Sequence, residues 1–199
     1  MGRNARLFVV SGPSGVGKGT ILRQVRKDRP ELHLTVSATT RKPRPEDTDG
    51  VTYHFLSDAA FDQLVSEDAF LEWAHVHGHS YGTLKTEVDP YLAQGCSVVL
   101  EIDVQGAFAV REKRPEAVLV FVEPPSVEEL ERRLRARGTE DEQSIQLRLA
   151  NARREMELSC KYDVRIVNDK LDEAVERMRA LIDHYENEGG FDQDGHHQA

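Results

Sequence analysis

Four short apolar runs set the rhythm of this chain. Leu7 to Val10 is continuously apolar and ends in Ser11-Gly12, and Ser97 to Leu100, Ala117 to Val122 and Val164 to Val167 repeat the theme further on. Such runs are typical of strands buried on both faces of a parallel sheet. Between them the apolar period changes to that of a helix. Lys18 to Lys27 places Ile21, Leu22 and Val25 on one face and is closed by Asp28 to Pro30. Val88 to Gln94, Val104 to Lys113, Ser126 to Ala136, Gln143 to Ser159 and Leu171 to Tyr185 carry the same pattern. Ser126 followed by Glu129 predicts a capping box. Strands alternating with helices predict an α/β fold with a mostly parallel sheet flanked by helices.

Residues 37–84 interrupt the alternation. Thr39 to Pro45 and Asp49-Gly50 are turn-rich, short alternating stretches follow, and Asp58 to Val65 has a helical pattern. This predicts an inserted subdomain at 37–84 within a core formed by 1–36 and 85–199. The polar, glycine-containing tail at 186–199 is expected to be disordered.

Composition narrows the partners. A chain of 199 residues accommodates one domain with a small insertion. Its 26 basic and 35 acidic residues give a net charge of -9, which disfavours a broad attraction to nucleic acid or an anionic membrane. Any anion is then held by a local cluster. Cys96 and Cys160 are far apart and form no disulfide or zinc pattern. The run at Leu7 is too short for a signal sequence or a membrane span, and Arg6 stands where myristoylation needs Ser or Thr. A soluble, cytoplasmic protein is expected.

The strongest chemical signal lies at the first strand end. Gly12-Pro13-Ser14-Gly15-Val16-Gly17-Lys18 matches G-x-x-x-x-G-K between a predicted strand and a predicted helix. Glycines there let backbone N–H groups turn towards phosphate oxygens, and the helix N-terminus adds its positive dipole end. An ordinary glycine-rich turn lacks that strand-to-helix setting. Gly12 to Thr20 is therefore the expected nucleotide-binding loop, with Lys18 reaching the β and γ phosphates of ATP as a point charge. The residue after Lys18 is Gly19, and the hydroxyl arrives one place later, at Thr20. Mg²⁺ is accordingly expected on phosphates and water with no direct protein ligand, and Thr20 on a phosphate.

Ser37 to Pro45, Gly50-Val51-Thr52-Tyr53-His54-Phe55, Phe70 to Ala74 and Tyr81-Gly82-Thr83 resemble, in order and spacing, the substrate-binding segment of guanylate kinases. Arg41 and Arg44 flank Pro43 and can clasp one phosphate with two guanidinium forks. Tyr53 and Tyr81 add hydroxyl donors. Glu72 can accept from two neighbouring N–H donors, which the N1 and N2 edge of guanine offers and adenine does not. The resemblance implies that Arg41, Arg44, Tyr53 and Tyr81 hold the GMP phosphate and that Ser37, Glu72 and Thr83 read the base. The plainer readings are a solvated arginine turn, tyrosines covering a small core and an outward-facing Glu72.

Val98 to Asp103 ends a strand in acids, at the edge where open parallel sheets bind ligands. Glu101 and Asp103 are candidates for the guanine contact and for a water-mediated Mg²⁺ contact, in either assignment. Asp103 can alternatively cap the next helix. Leu130 to Thr139 with Arg148 resembles the lid of nucleoside monophosphate kinases, about residues 131–148. Arg133, Arg137 and Arg148 are its candidate catalytic cations, and Asn168 a candidate adenine contact. The resemblance implies a P-loop kinase that transfers the γ-phosphate of ATP to GMP with Mg²⁺. Two other readings are a guanylate-kinase-like phosphopeptide-binding scaffold domain, whose hallmark is a degraded phosphate loop, and a kinase for phosphorylated ribose.

Overall fold

The computed structural model describes residues 4–76, 78–136 and 141–187. In chain order the first half comprises β1 (Leu7–Ser11), α1 (Lys18–Asp28), β2 (His33–Leu34), β3 (Ala38–Thr39), β4 (His54–Phe55), α2 (Asp58–Ser66), β5 (Phe70–Val76) and β6 (His79–Leu84). The second half comprises α3 (Asp89–Ala93), β7 (Val98–Glu101), α4 (Val104–Lys113), β8 (Val118–Glu123), α5 (Val127–Ala136), α6 (Glu142–Glu157), β9 (Val164–Val167) and α7 (Leu171–Asn187).

The main sheet has the order β2-β7-β1-β8-β9, and all its pairings are parallel. The alternation of β1 explains its two layers. Phe8 and Val10 point into a core with Ile21, Leu22 and Val25 of α1 and Met178 and Ile182 of α7. Leu7 and Val9 point the other way, into a core with Val104, Ala107 and Val110 of α4. Burial of a large apolar side chain contributes roughly 1.5–3 kcal/mol, so a strand buried on both faces is a firm base for the loop it carries.

A second, mixed sheet has the order β4-β3-β6-β5. Its apolar cluster is small, with Ala38, Phe61 and Phe70 as the buried members and the two phenyl rings stacked at 4.4 Å. Leu130 and Leu134 of α5 pack on Ile145 and Leu149 of α6 in a separate cluster.

Several expectations change in detail. The strand β2 has no apolar run of its own and exists through its pairing with Val98 and Val99. Ser126 caps α5 by accepting from Glu129 N at 3.1 Å, but the Glu129 carboxylate engages Arg132 and Arg133, so the capping box is only half made. The tail does not begin at Glu186. That residue lies in α7, is 4% exposed, and joins Arg29 at 2.6 Å while accepting from Ser97 Oγ. Residues 188–199 lie outside the described residues.

Candidate active site

The chain leaves β1 at Ser11, turns through Gly12 to Gly17 and enters α1 at Lys18. The glycines are dictated by space as well as by φ. Gly12 has φ 140°, and a Cβ there would lie 2.0 Å from Val122 O. Gly17 is the left-handed N-cap of α1 at φ 103°, and a Cβ there would meet Asn168 Nδ2 at 2.6 Å. The loop therefore lies directly on β8 and on the end of β9. The first-turn N–H groups of α1, which lack intrahelical partners, open towards it. Lys18 Nζ donates to Gly12 O at 2.5 Å and to Pro13 O at 3.3 Å, so the lysine curls over its own loop. Burial lowers the Lys18 pKa, while Glu101, Glu155 and Asp103 work to raise it.

The acids at the end of β7 divide between two neighbours. Glu101 is exposed and its carboxylate covers Gly19, where an added Cβ would meet its oxygens at 3.1 and 3.4 Å. Asp103 is the N-cap of α4, with Oδ1 accepting from Gly106 N at 2.7 Å. The capping alternative is thus what the geometry shows for that oxygen. Glu72 also lies against Gly106, where an added Cβ would be 3.0 Å from its Oε2 and 3.4 Å from Asp103 Oδ1. A single strand end therefore joins the phosphate loop to the second sheet.

Glu72 sits on β5 opposite Thr83 of β6, beside an irregularity of register. The two-residue period of the strand turns Glu72 inward at 5% exposure and Trp73 outward at 47%. Burial raises the Glu72 pKa, the hydroxyl and N–H of Thr83 lower it, Asp103 raises it and Lys113 lowers it. The Thr83 hydroxyl is buried without a hydrogen bond of normal geometry. Ser37 stands nearby in the chain that leads to β3, with its carbonyl accepting from His54 N.

Arg41 is ordered before any ligand arrives. Its Nη2 joins Asp47 Oδ2 at 2.8 Å, and its guanidinium lies 5.4 Å from the Tyr53 ring centroid. The same Asp47 oxygen accepts from Arg44 N at 2.7 Å. Tyr53 and Tyr81 meet edge to face at 6.0 Å, and burial raises the Tyr53 pKa. Arg41 and Arg44 also border a cleft of about 390 Å³ with Thr40, Lys42, Asp58 and His79.

The family model described as guanylate kinase matches residues 4–185. The chain belongs to the guanylate kinase family. Curated guanylate kinases from Gloeobacter violaceus and Thermobifida fusca are 54% and 52% identical to it, each match covering 89% of this chain and 87% and 90% of theirs. A crystal structure of guanylate kinase from Anaplasma phagocytophilum superposes with a TM-score of 0.77 at 28% identity, covering 94% of this chain and 88% of that one. A gluconokinase from Sinorhizobium meliloti, at TM-score 0.51 and 17% identity over 92% of this chain and 95% of that one, shares the fold.

The arginines expected to gather in a lid take separate positions. Arg148 Nη1 bonds Ser14 Oγ and so joins α6 to the phosphate loop. Arg133 does not converge with it as expected from their spacing. Its Nε joins Glu129 at 2.8 Å and its Nη1 donates to Asn168 O at 2.9 Å. Arg137 lies outside the described residues. Asn168 is found beneath the loop, 6% exposed, with Nδ2 donating to Val16 O at 2.7 Å. The Thr20 hydroxyl accepts from Arg23 Nη2 at 3.3 Å.

Sequence reasoning missed three participants. Asp47 holds the Arg41 guanidinium and the Arg44 backbone N–H, and its place three residues after Arg44 was the available signal. Glu155 of α6 is withdrawn from water and faces Lys18 and Asp103. Burial raises its pKa, Lys18 opposes that rise and Asp103 adds to it. Tyr162 packs under β8 against Phe121 at 5.1 Å, and burial pushes its hydroxyl up to about 12. For Glu155 no local pattern exists, and Tyr162 lies in a Tyr162-Asp163 pair that resembles the family pattern without naming a role.

Proposed function

We propose that the chain transfers the γ-phosphate of ATP to GMP, giving ADP and GDP, with the loop Gly12 to Thr20 holding ATP and residues 37–84 acting as the GMP-binding subdomain. The observation that supports this most is the end of β7, where Glu101 lies over Gly19 of the phosphate loop while Asp103 and Gly106 lie against Glu72. Two binding regions built on different sheets thereby share one wall. Glu72, Thr83 and Ser37 recognise the guanine edge, and Arg41, Arg44, Tyr53 and Tyr81 hold the GMP phosphate. Lys18 and Arg148 place positive charge over the transferring group. Mg²⁺ carried with ATP would supply further neutralisation of the charge on the phosphates.

The GMP phosphate already presents an ionised oxygen, so transfer is direct and in line and needs no general base. The helices α5 and α6 act as the lid, and closure of lid and insert excludes water. Among the described residues no helix is long and apolar enough to cross a membrane, in keeping with a soluble, cytoplasmic enzyme. The intact Gly12, Gly17 and Lys18 favour this reading over a scaffold domain, and buried Glu72 favours it over a ribose-phosphate kinase. The test is ADP formation from ATP with GMP, AMP, dTMP or UMP in turn. Turnover with GMP far above the others is expected, and absence of GMP-dependent turnover overturns the proposal.

A further inference from the structure

The chain passes from the main sheet to the second sheet between Leu34 of β2 and Ala38 of β3, and it turns back between Leu84 of β6 and Asp89 of α3. Glu87 stands on the return connection, in the single 3₁₀ turn Lys85–Glu87. Its carboxylate joins this connection to the outgoing one and to both sheets. Oε2 accepts from Val36 N, on the outgoing connection, at 3.0 Å. The same oxygen lies 3.2 Å from His33 Nε2 of β2, in the main sheet, and Oε1 lies 3.2 Å from His54 Nε2 of β4, in the second sheet. An ionised carboxylate only accepts, so both imidazoles donate. The Glu87 and His33 side chains are largely withdrawn from water, at 17% and 15% exposure. Burial acts to raise the Glu87 pKa, but the Val36 N–H and the two imidazoles outweigh it and hold the carboxyl below its ordinary range. The His33 ring is fixed in turn, stacked on Tyr91 of α3 at 3.4 Å.

The neighbours of these contacts are residues proposed to meet GMP. Val36 precedes Ser37, and His54 follows Tyr53. His54 N also donates to Ser37 O at 2.9 Å. We propose that Glu87 is a positioning residue for GMP, which holds Ser37 and Tyr53 in place through their neighbours Val36 and His54 and sets the pose of the second sheet relative to the main sheet. This rests on the GMP-binding role given above to residues 37–84. Two short connections by themselves make a hinge. Three bonds to one charged, partly buried carboxylate restrain it, because such bonds are stronger than neutral ones. The phosphate loop is held by β8 and Asn168 on the main sheet, so loosening this joint acts on the GMP side alone.

The test is steady-state kinetics on the full chain with GMP and ATP varied separately, circular dichroism confirming the fold at the assay temperature. Glu87→Ala is expected to raise the KM for GMP about 10-fold with the KM for ATP unchanged, a split that a general loss of stability does not produce. His54→Ala removes only the bond to the second sheet and is expected to raise the KM for GMP about 3-fold. In the double variant the rise should remain about 10-fold, because His54 acts through the carboxylate that is gone. Glu87→Gln keeps an acceptor for Val36 N and is expected to fall between the unaltered chain and Glu87→Ala, and it takes the place of Glu87→Ala in the cycle if that variant does not fold. An unchanged KM for GMP in the Glu87 variant, equal rises for GMP and ATP, or effects that multiply in the double variant overturn the assignment, while GMP turnover by the unaltered chain leaves the proposed activity standing. Absence of GMP-dependent turnover in the unaltered chain overturns both.

Discussion

In the function proposed above, the phosphate loop and the second sheet solve the same problem, holding an anionic nucleotide, by opposite means. The loop uses backbone. It is pinned by Val122 O beneath Gly12 and by Asn168 beneath Gly17, on a strand whose two faces are both buried in large apolar clusters. The second sheet uses side chains, with Glu72, Thr83, Arg41 and the tyrosines drawn from β5, β6 and the turns around β3 and β4. Its own apolar cluster has only three fully buried members. Backbone recognition is rigid and reads phosphate, which every nucleotide carries. Side-chain recognition reads one base, and it rests on a platform with less apolar burial and lower local stability.

That contrast can be broken most forcefully at the lysine. Lys18→Ala removes the cation from the transferring phosphate and is expected to lower kcat by about 10³-fold with GMP specificity unchanged. Steady-state rates with GMP and AMP check this. A variant that changes base preference would show that the two regions do not divide the labour in this way.

Glu72→Gln acts on the other half. Hydrogen bonds to a charged group contribute about 1.5–3 kcal/mol, so kcat/KM for GMP should fall about 10- to 100-fold while the KM for ATP stays put. The same variant carries a pH signature. The folded Glu72 pKa is raised above 4.5, chiefly by burial, so the folded chain holds that proton more tightly than the unfolded chain. Its contribution to stability is full below 4.5 and is lost as pH rises through the folded value. The difference in unfolding free energy between Gln and Glu forms, in the absence of nucleotide, should therefore grow in favour of Gln across that window. A flat difference would mean that Glu72 is solvated.

Asn168→Ala tests the support beneath the loop. Val16 O loses a buried donor, which costs about 1–3 kcal/mol of stability. The KM for ATP should rise and the KM for GMP should not. The smallest effect is expected at Asp47→Asn, which weakens the ion pair that orders Arg41. A several-fold rise in the KM for GMP is the expected outcome, about 1 kcal/mol, with guanine preference kept.

Much of the main sheet was legible along the chain, because β1, β7 and β8 are apolar on both faces, β9 is mostly apolar, and the helices between them keep one apolar stripe. The strand β2 was not, since His33 and Leu34 are extended only through their pairing with β7. Within the site, alternation with Trp73 left open which of the two faces inward, and the fold turned Glu72 in at 5% exposure and Trp73 out, whereas the guanidinium of Arg133 could not be placed from helix spacing. Spacing puts side chains on a face but does not say which carbonyls stand opposite, and here Asn168 O and Asp169 O captured that group.

The sequence by itself determined the strand-loop-helix unit and the family, because local periodicity and backbone constraints at Gly12 to Lys18 need no distant partner. Tertiary structure decided which acid serves which neighbour. Glu101 and Asp103 are two residues apart, which strict alternation would place on one face, but β7 ends at Glu101 and Asp103 already turns into the start of α4. One then finds open space above a glycine and the other an unpaired N–H at a helix start. Those destinations belong to α1 and α4, which packing of the whole chain brings to the same strand end.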